Sequence, residues 1–218
     1  MARVNPVSLS QSAKPRSVEW ALARAFSAFA WTFLLFAGED PTRVPQNLAI
    51  RDIHGNMQRP FFAAPGTAAV VFFVTNDCPV SNGYAHEMRR ICEAYPGKAT
   101  CTLDYVDPTL TPDTVTKHFA EYGHGNYSAI IDTNHALVKA SGAQVTPEVM
   151  VVLPGGQIAY RGRIDNKYVA LGRARQAPTV HDLREALDAV LAGKPVASPR
   201  TSPIGCYITP LEFFKNRK

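Results

Sequence analysis

The sequence has few cysteines and no closely spaced pair of them. Four of its 218 residues are cysteine, at positions 78, 92, 101 and 206, and no two of these form a Cys-x-x-Cys motif. A zinc ribbon or zinc knuckle requires such motifs, so a structural zinc site of that kind is not expected. An even number of cysteines permits disulfide bonds, but the spacing leaves their connectivity open.

The sequence also lacks a basic stripe with interleaved aromatic residues. Its formal net charge is +5, and the positive residues gather in the last four positions and between Arg161 and Arg175. An excess of this size is typical of a solvated surface. We therefore expect no nucleic-acid partner.

The apolar run at residues 25–37 is too short to cross a bilayer comfortably, since a membrane-spanning helix takes about 20 residues. It follows a polar stretch with four basic residues and is followed at once by Gly38, Glu39 and Asp40. This order is typical of a secretory signal peptide. We predict that residues 1–39 are a signal peptide or an N-terminal membrane anchor, so that the protein is exported, either periplasmic or anchored outside the cytoplasm. An amphipathic helix packed on the domain is the alternative.

The rest of the sequence predicts one folded domain between two less regular segments. Residues 40–47 are predicted as a linker, residues 48–193 as the domain, and the Pro/Ser-rich residues 194–218 as a flexible tail that carries Cys206. Strands are indicated by β-branched and aromatic apolar runs, and helices by early prolines and an apolar face. The predicted order is a hairpin at 48–57, a strand at 68–74, a helix from 79 to about 95, a strand at 100–106, a helix from 111 to about 122, a strand at 128–131, a short helix at 136–142, a hairpin at 149–161 and a helix at 179–192. Alternating strands and helices followed by a hairpin predict an α/β fold, a three-layer α/β/α sandwich with a mixed central sheet and an N-terminal β-hairpin.

Cys78 stands where a buried strand is predicted to give way to a helix. The apolar run 68–74 ends four residues before it, and Pro79 suits the first turn of a helix because its missing N–H costs nothing there. A helix N-terminus offers free N–H groups and the positive end of the helix dipole, and both stabilise a thiolate. Because the thiolate is the reactive form of cysteine, this context predicts a nucleophilic Cys78 rather than a small buried apolar residue.

Residues 70–95 resemble the active-site segment of the thioredoxin-like superfamily, in the redoxin branch shared by peroxiredoxins (alkyl hydroperoxide reductase/thiol-specific antioxidant) and extracytoplasmic thioredoxin-like proteins. Thr146-Pro147, before a late strand, resembles the cis-proline loop of that fold, and residues 155–162 resemble its closing hairpin. The resemblance implies a thioredoxin-like fold over about residues 46–193, with the Thr146-Pro147 loop opposite Cys78. It also implies a thiol-disulfide or antioxidant oxidoreductase.

The sequence departs from both relatives at the site. Residues 78–81 are Cys-Pro-Val-Ser, so Ser81 takes the place of the second cysteine of a dithiol thioredoxin, and such a site cannot resolve a mixed disulfide by itself. Thr75 matches the threonine of the peroxiredoxin pattern Pro-x-x-x-Thr-x-x-Cys, whereas Val71 replaces its proline. The family's active-site arginine has no clear counterpart, although Arg161 and Arg163 lie nearby in sequence.

These residues define a site hypothesis without a cofactor. Cys78 attacks a protein disulfide, a small thiol compound or a peroxide, and Thr75 and Ser81 donate hydrogen bonds to its thiolate. Thr146 and Pro147 present backbone to an extended substrate. Cys206, or an external thiol reductant, resolves the intermediate; Cys206 is otherwise a free or structural thiol.

Two other functions stay open at this point. Thiolate and imidazole ligands suit copper, so Cys78 and His86, two helical turns apart, indicate a copper-handling thioredoxin-fold chaperone as one alternative. A non-catalytic thioredoxin-like binding domain is the other. Cys92 and Cys101 are predicted as core residues, and a bridge between them is one of several open pairings.

Overall fold

Five strands form a mixed central sheet with helices on both faces, as seen in a computed structural model that describes residues 42–215. The predicted signal peptide or anchor at residues 1–39 lies outside the described residues. In chain order the elements are β1 (Ile50–Arg51), β2 (Met57–Gln58), β3 (Ala68–Val74), α1 (Pro79–Ala94), β4 (Ala99–Tyr105), α2 (Pro112–Tyr122), β5 (Ser128–Ile131), α3 (Ala136–Ser141), β6 (Val145–Thr146), β7 (Glu148–Val152), a 3-10 turn (Pro154–Gly156), β8 (Ile158–Gly162), β9 (Tyr168–Ala170), β10 (Arg173–Ala174), α4 (Asp182–Leu191), β11 (Cys206–Tyr207) and α5 (Leu211–Lys215).

The central sheet has the strand order β5-β4-β3-β7-β8. Strands β3, β4 and β5 are parallel to one another, β7 pairs antiparallel with β3, and β8 pairs antiparallel with β7. All seven residues of β3 are buried, because this strand is central and its continuous apolar run is covered on both faces. The predicted thioredoxin-like fold with a mixed central sheet is confirmed.

Two apolar cores lie on the two faces of the sheet. The first contains Cys78 and the buried faces of α1 and α4, packed on the side chains of Val70 and Phe72. The second contains Phe61 and Leu137, packed on the alternate side chains of β3. The predicted N-terminal hairpin is present as the short antiparallel pair β1–β2.

A disulfide bond joins Cys92, near the end of α1, to Cys101 in β4, with a Cα–Cα distance of 6.0 Å. The spacing of the cysteines left this pairing open, and the structure decides it. Cys78 and Cys206 are free thiols.

The segments that flank the predicted domain pack against it over their described parts. Val44, in the segment predicted as a linker, is buried, and its N–H donates to Gly156 O at 2.9 Å. The expectation of a flexible tail is wrong for residues 199–215. Its backbone bonds to β8 through Thr201 and pairs with β6 through β11, and Leu211 buries its side chain. Between residues 42 and 215, no helix is long and apolar enough to cross a membrane.

Candidate thiol site

Cys78 is the N-terminal cap residue of α1. Its backbone is extended (φ −80°, ψ 111°), and its carbonyl accepts the N–H of Asn82 at 3.0 Å as the helix begins. Pro79 occupies the first turn, which needs no N–H donor there. The sulfur is therefore held at a helix N-terminus, but the residue is only 1% exposed.

The Thr146-Pro147 peptide bond is cis and faces Cys78. The Cys78 thiol donates to Thr146 O at 3.1 Å, so the sulfur contacts the backbone of the loop directly. Strand β6 ends at Thr146, immediately before the cis bond. The structure thus brings together three residues that the sequence singled out.

Cys206 reaches the same site from the C-terminal segment. Strand β11 pairs antiparallel with β6 and places Cys206 opposite Thr146. The two thiols lie close enough for the Cys206 side chain to lower the pKa of Cys78 and for Cys78 to raise the pKa of Cys206. Gly205 makes this approach feasible, because a Cβ atom there would lie 2.0 Å from Thr146 O. The site therefore holds two thiols that are far apart in sequence.

The two thiols have opposite pKa shifts. Burial opposes the charge of Cys78, yet the neighbouring Cys206 thiol, the Ser81 backbone and hydroxyl, and the Thr146 side chain outweigh it and lower the pKa of Cys78. Burial, the hydrogen bond to Cys78 and its charge raise the pKa of Cys206 to about 12. These opposite shifts favour ionisation of Cys78 before Cys206.

The hydroxyl groups of Ser81 and Thr75 contact different parts of the site. The Ser81 hydroxyl is buried, and within residues 42–215 it meets no acceptor or donor at normal hydrogen-bond geometry. It is nevertheless close enough to the Cys78 sulfur to help lower its pKa. The Thr75 hydroxyl, predicted to bond the thiolate, instead lies 3.4 Å from Thr146 Oγ1. Thr75 therefore contacts the cis-proline loop.

The two residues of the copper alternative, Cys78 and His86, differ in burial. Cys78 is buried beside β6 and β11, whereas His86 is exposed on α1 and its charge acts on His124. Residues 42–215 contain no cluster of three or more His, Cys, Asp or Glu side chains that could hold a metal ion.

The two arginines considered as peroxiredoxin-like are both engaged elsewhere. Arg161 binds Glu148 and the carbonyls of Ser141 and Gly142. Arg163 binds the carboxylate of Asp182 through two nitrogens. Each guanidinium is therefore held in an ion pair with a carboxylate.

Sequence reasoning missed the contribution of Tyr168. Its hydroxyl lies over α1 at Gly83, where a Cβ atom would be 2.1 Å from it, and its ring stands 5.1 Å from that of Tyr84. Burial and the charge of Cys78 raise the pKa of Tyr168, which places this phenol in the electrostatic surroundings of the thiol. A glycine inside the predicted helix was the available signal, because such a glycine often marks a close approach.

A small cavity opens beside Cys206. It has a volume of about 150 Å³ and is lined by residues that include Thr75, Asp77, Cys206 and Phe214. Cys206 is half-buried and lines this cavity, whereas Cys78 is buried and is not among the lining residues.

Comparisons with known proteins bear on the fold. No protein-family model and no curated protein matches the sequence. A conserved uncharacterised protein from Geobacillus kaustophilus superposes with a TM-score of 0.66 at 24% identity, covering 79% of this chain and 94% of that one. A hypothetical protein from Sinorhizobium meliloti superposes with a TM-score of 0.64 at 27% identity, covering 77% and 92%. The dsbF protein of MTB matches with a TM-score of 0.49 at 16% identity, covering 67% and 98%.

Proposed function

We propose that the protein is a thiol-disulfide oxidoreductase in which Cys78 is the nucleophile and Cys206 the resolving thiol. The observation that carries this proposal is the delivery of Cys206 by β11 to a position opposite Thr146, within hydrogen-bonding reach of Cys78. The cysteine missing from the Cys-Pro-Val-Ser segment is thereby supplied from the other end of the chain.

The reaction has two exchange steps. The Cys78 thiolate attacks one sulfur of a substrate disulfide; a bond forms to Cys78 as the substrate S–S bond breaks, and the departing thiolate takes a proton. Cys206 then loses its proton and attacks Cys78, which forms the Cys78–Cys206 disulfide and releases the second substrate thiol. The substrate gains two electrons and two protons, and the protein loses them. An external thiol reductant restores the dithiol form.

The pKa values favour this order of events. Cys78 is charged first because its pKa is lowered, while Cys206 keeps its proton because burial and the neighbouring Cys78 raise its pKa to about 12. Once Cys78 is part of a mixed disulfide, it carries no charge and holds the Cys206 proton less strongly. The contribution of Cys78 to the raised pKa of Cys206 is then lost, and the second attack becomes easier.

A disulfide is favoured over a hydroperoxide as substrate. Arg161 and Arg163 are bound to Glu148 and Asp182, so neither is available to polarise a peroxide at Cys78. The peroxide route would oxidise Cys78 to a sulfenic acid that condenses with Cys206, with release of water. Mass spectrometry after mild peroxide treatment distinguishes this route from disulfide exchange.

We also propose that the protein acts outside the cytoplasm. The Cys92–Cys101 disulfide supports this location, because such bonds persist mainly in oxidising compartments. The signal-like pattern of residues 1–39 supports it independently.

The proposed chemistry is tested by the thiols released from an aromatic disulfide such as Ellman's reagent. We expect the reduced protein to release two aromatic thiolates per chain and to end with a Cys78–Cys206 bond, detected by mass spectrometry. Cys206→Ser should release one and keep the other as a mixed disulfide on Cys78. Cys78→Ser should lose the rapid phase. Equal release by Cys78→Ser and the unmodified protein would refute the assignment of the nucleophile.

A further inference from the structure

The backbone edge beside the cis-proline loop is already occupied by the protein's own C-terminal segment. We name residues 205–208 the C-terminal strap. Cys206 and Tyr207 pair with β6, and the N–H of Ile208 donates to Gln144 O at 2.9 Å. The strap therefore runs antiparallel along residues 144–146, directly before Pro147.

We propose that the strap is a displaceable occupant of the edge on which a polypeptide substrate docks, and that it must leave β6 before such a substrate reaches Cys78. This inference rests on the proposed function. An extended polypeptide gains main-chain hydrogen bonds by adding a strand to an open edge. While the strap makes those bonds, the edge is closed to a second strand.

The burial of Cys78 agrees with this arrangement. Cys78 is 1% exposed, although a thiol that exchanges with a polypeptide must be reached by a foreign sulfur. Gly205 lies so close to Thr146 that no side chain fits between them, so the covering is tight. The covering residues follow the central sheet and α4 in sequence, and they pair with β6 in a separate two-stranded sheet.

The strap is held by few contacts compared with the core strands. Strand β11 is two residues long, and it is followed by the five-residue helix α5. Ile208 packs on the second core and Leu211 is buried, whereas Tyr207 is 86% exposed. Segments with so few buried contacts open locally at a free-energy cost far below that of global unfolding.

The strap also indicates what an incoming polypeptide must present. Its Cys206 stands opposite Thr146, so a substrate cysteine in that register would lie next to the Cys78 sulfur. The preceding position faces Thr146 O at a distance that excludes a Cβ atom. A polypeptide that binds in the same register should therefore carry glycine before its cysteine.

The test measures access to Cys78 in a Cys206→Ser background, where Cys78 is the one free thiol of the described residues. Gly205→Val should force the strap away from Thr146, and Ile208→Ala should weaken its anchor. We expect iodoacetamide to alkylate Cys78 about tenfold faster in both variants, measured by mass spectrometry, because local opening becomes easier. Tyr207→Ala is the matched control in the same strand, and its rate should not change because the side chain is exposed.

Equal alkylation rates in the background protein and in both strap variants would overturn the proposal. This result is separable from failure of the proposed function, since alkylation reports access and not exchange. If the strap variants are alkylated faster than the Cys206→Ser background protein, but the protein with both thiols releases no aromatic thiolate, the strap proposal stands and the oxidoreductase is rejected. If the Cys206→Ser background protein is alkylated as fast as the strap variants, and the protein with both thiols releases two aromatic thiolates, the oxidoreductase stands and the strap proposal is rejected.

Discussion

The charge of Cys78 depends on a small number of hydrogen bonds at the residue scale. Desolvation acts against the thiolate, and the groups that offset it belong to Cys206, Ser81 and the Thr146 side chain. The backbone carbonyl of Thr146 acts in the other direction: it accepts the proton of the neutral thiol and so favours the uncharged form. The serine that replaces a second cysteine at position 81 thus stabilises the nucleophile.

Ser81→Ala should raise the pKa of Cys78. The substitution removes a buried hydroxyl that favours the thiolate and leaves the backbone N–H in place, so the pKa of Cys78 should move up toward that of an ordinary thiol. The pH profile of iodoacetamide alkylation in the Cys206→Ser background measures it, and the rate near neutral pH should fall. Ser202→Ala, at an exposed serine, is the control. A profile identical to that of the background protein would show that the Ser81 hydroxyl does not act on the thiol.

At the scale of elements, the sequence predicted the strands and helices whose formation depends mainly on residues near one another in the chain. Strands β3 and β5 have the predicted bounds because each is a short apolar run, and α1 begins at Pro79 as its proline indicates. Strand β11 was missed because its two residues have no alternating pattern and are extended only by pairing with β6. The same holds for the site. The position of Cys78 at the start of a helix could be predicted from neighbouring residues, whereas the approach of Cys206 depends on the pairing of β11 with β6.

The Cys92–Cys101 disulfide fixes the end of α1 to β4, two elements that also frame the first core. Replacing both cysteines by alanine should lower the free energy of unfolding by about 2–3 kcal/mol, because the bond closes a short loop in the unfolded chain. Urea denaturation measures this change. Release of aromatic thiolate should persist in the double variant, since Cys78 and Cys206 are retained. Unchanged stability would mean that the bond does not constrain the unfolded chain.

At the scale of the whole molecule, the buried carboxyl of Asp104 makes the folding stability depend on pH. Its side chain alternates with those of Leu103 and Tyr105, which belong to the Cys78 face, so its carboxyl lies on the opposite face and not beside the thiol. The residue is fully buried, and neither oxygen has a hydrogen-bond partner among the described residues. Burial and the nearby charge of Asp132 raise the pKa of Asp104 well above its ordinary value. The folded protein therefore holds this carboxyl protonated under conditions in which the unfolded chain ionises it.

Protonation linked to folding makes stability fall as the pH rises. Below the pKa that Asp104 has in the unfolded chain, the folded and unfolded states both carry the proton, and the contribution of Asp104 to stability is fully present. Above that pKa only the folded state carries the proton. The free energy of unfolding should then decrease by about 1.4 kcal/mol per pH unit until the buried carboxyl ionises. Asp104→Asn removes this titration, so its stability between pH 5 and pH 7 should vary less steeply than that of the unaltered protein. Urea denaturation across this range tests the prediction, with the exposed Asp113→Asn as control. If Asp104→Asn and the unaltered protein gave parallel curves, the buried carboxyl would not be the group that couples pH to folding.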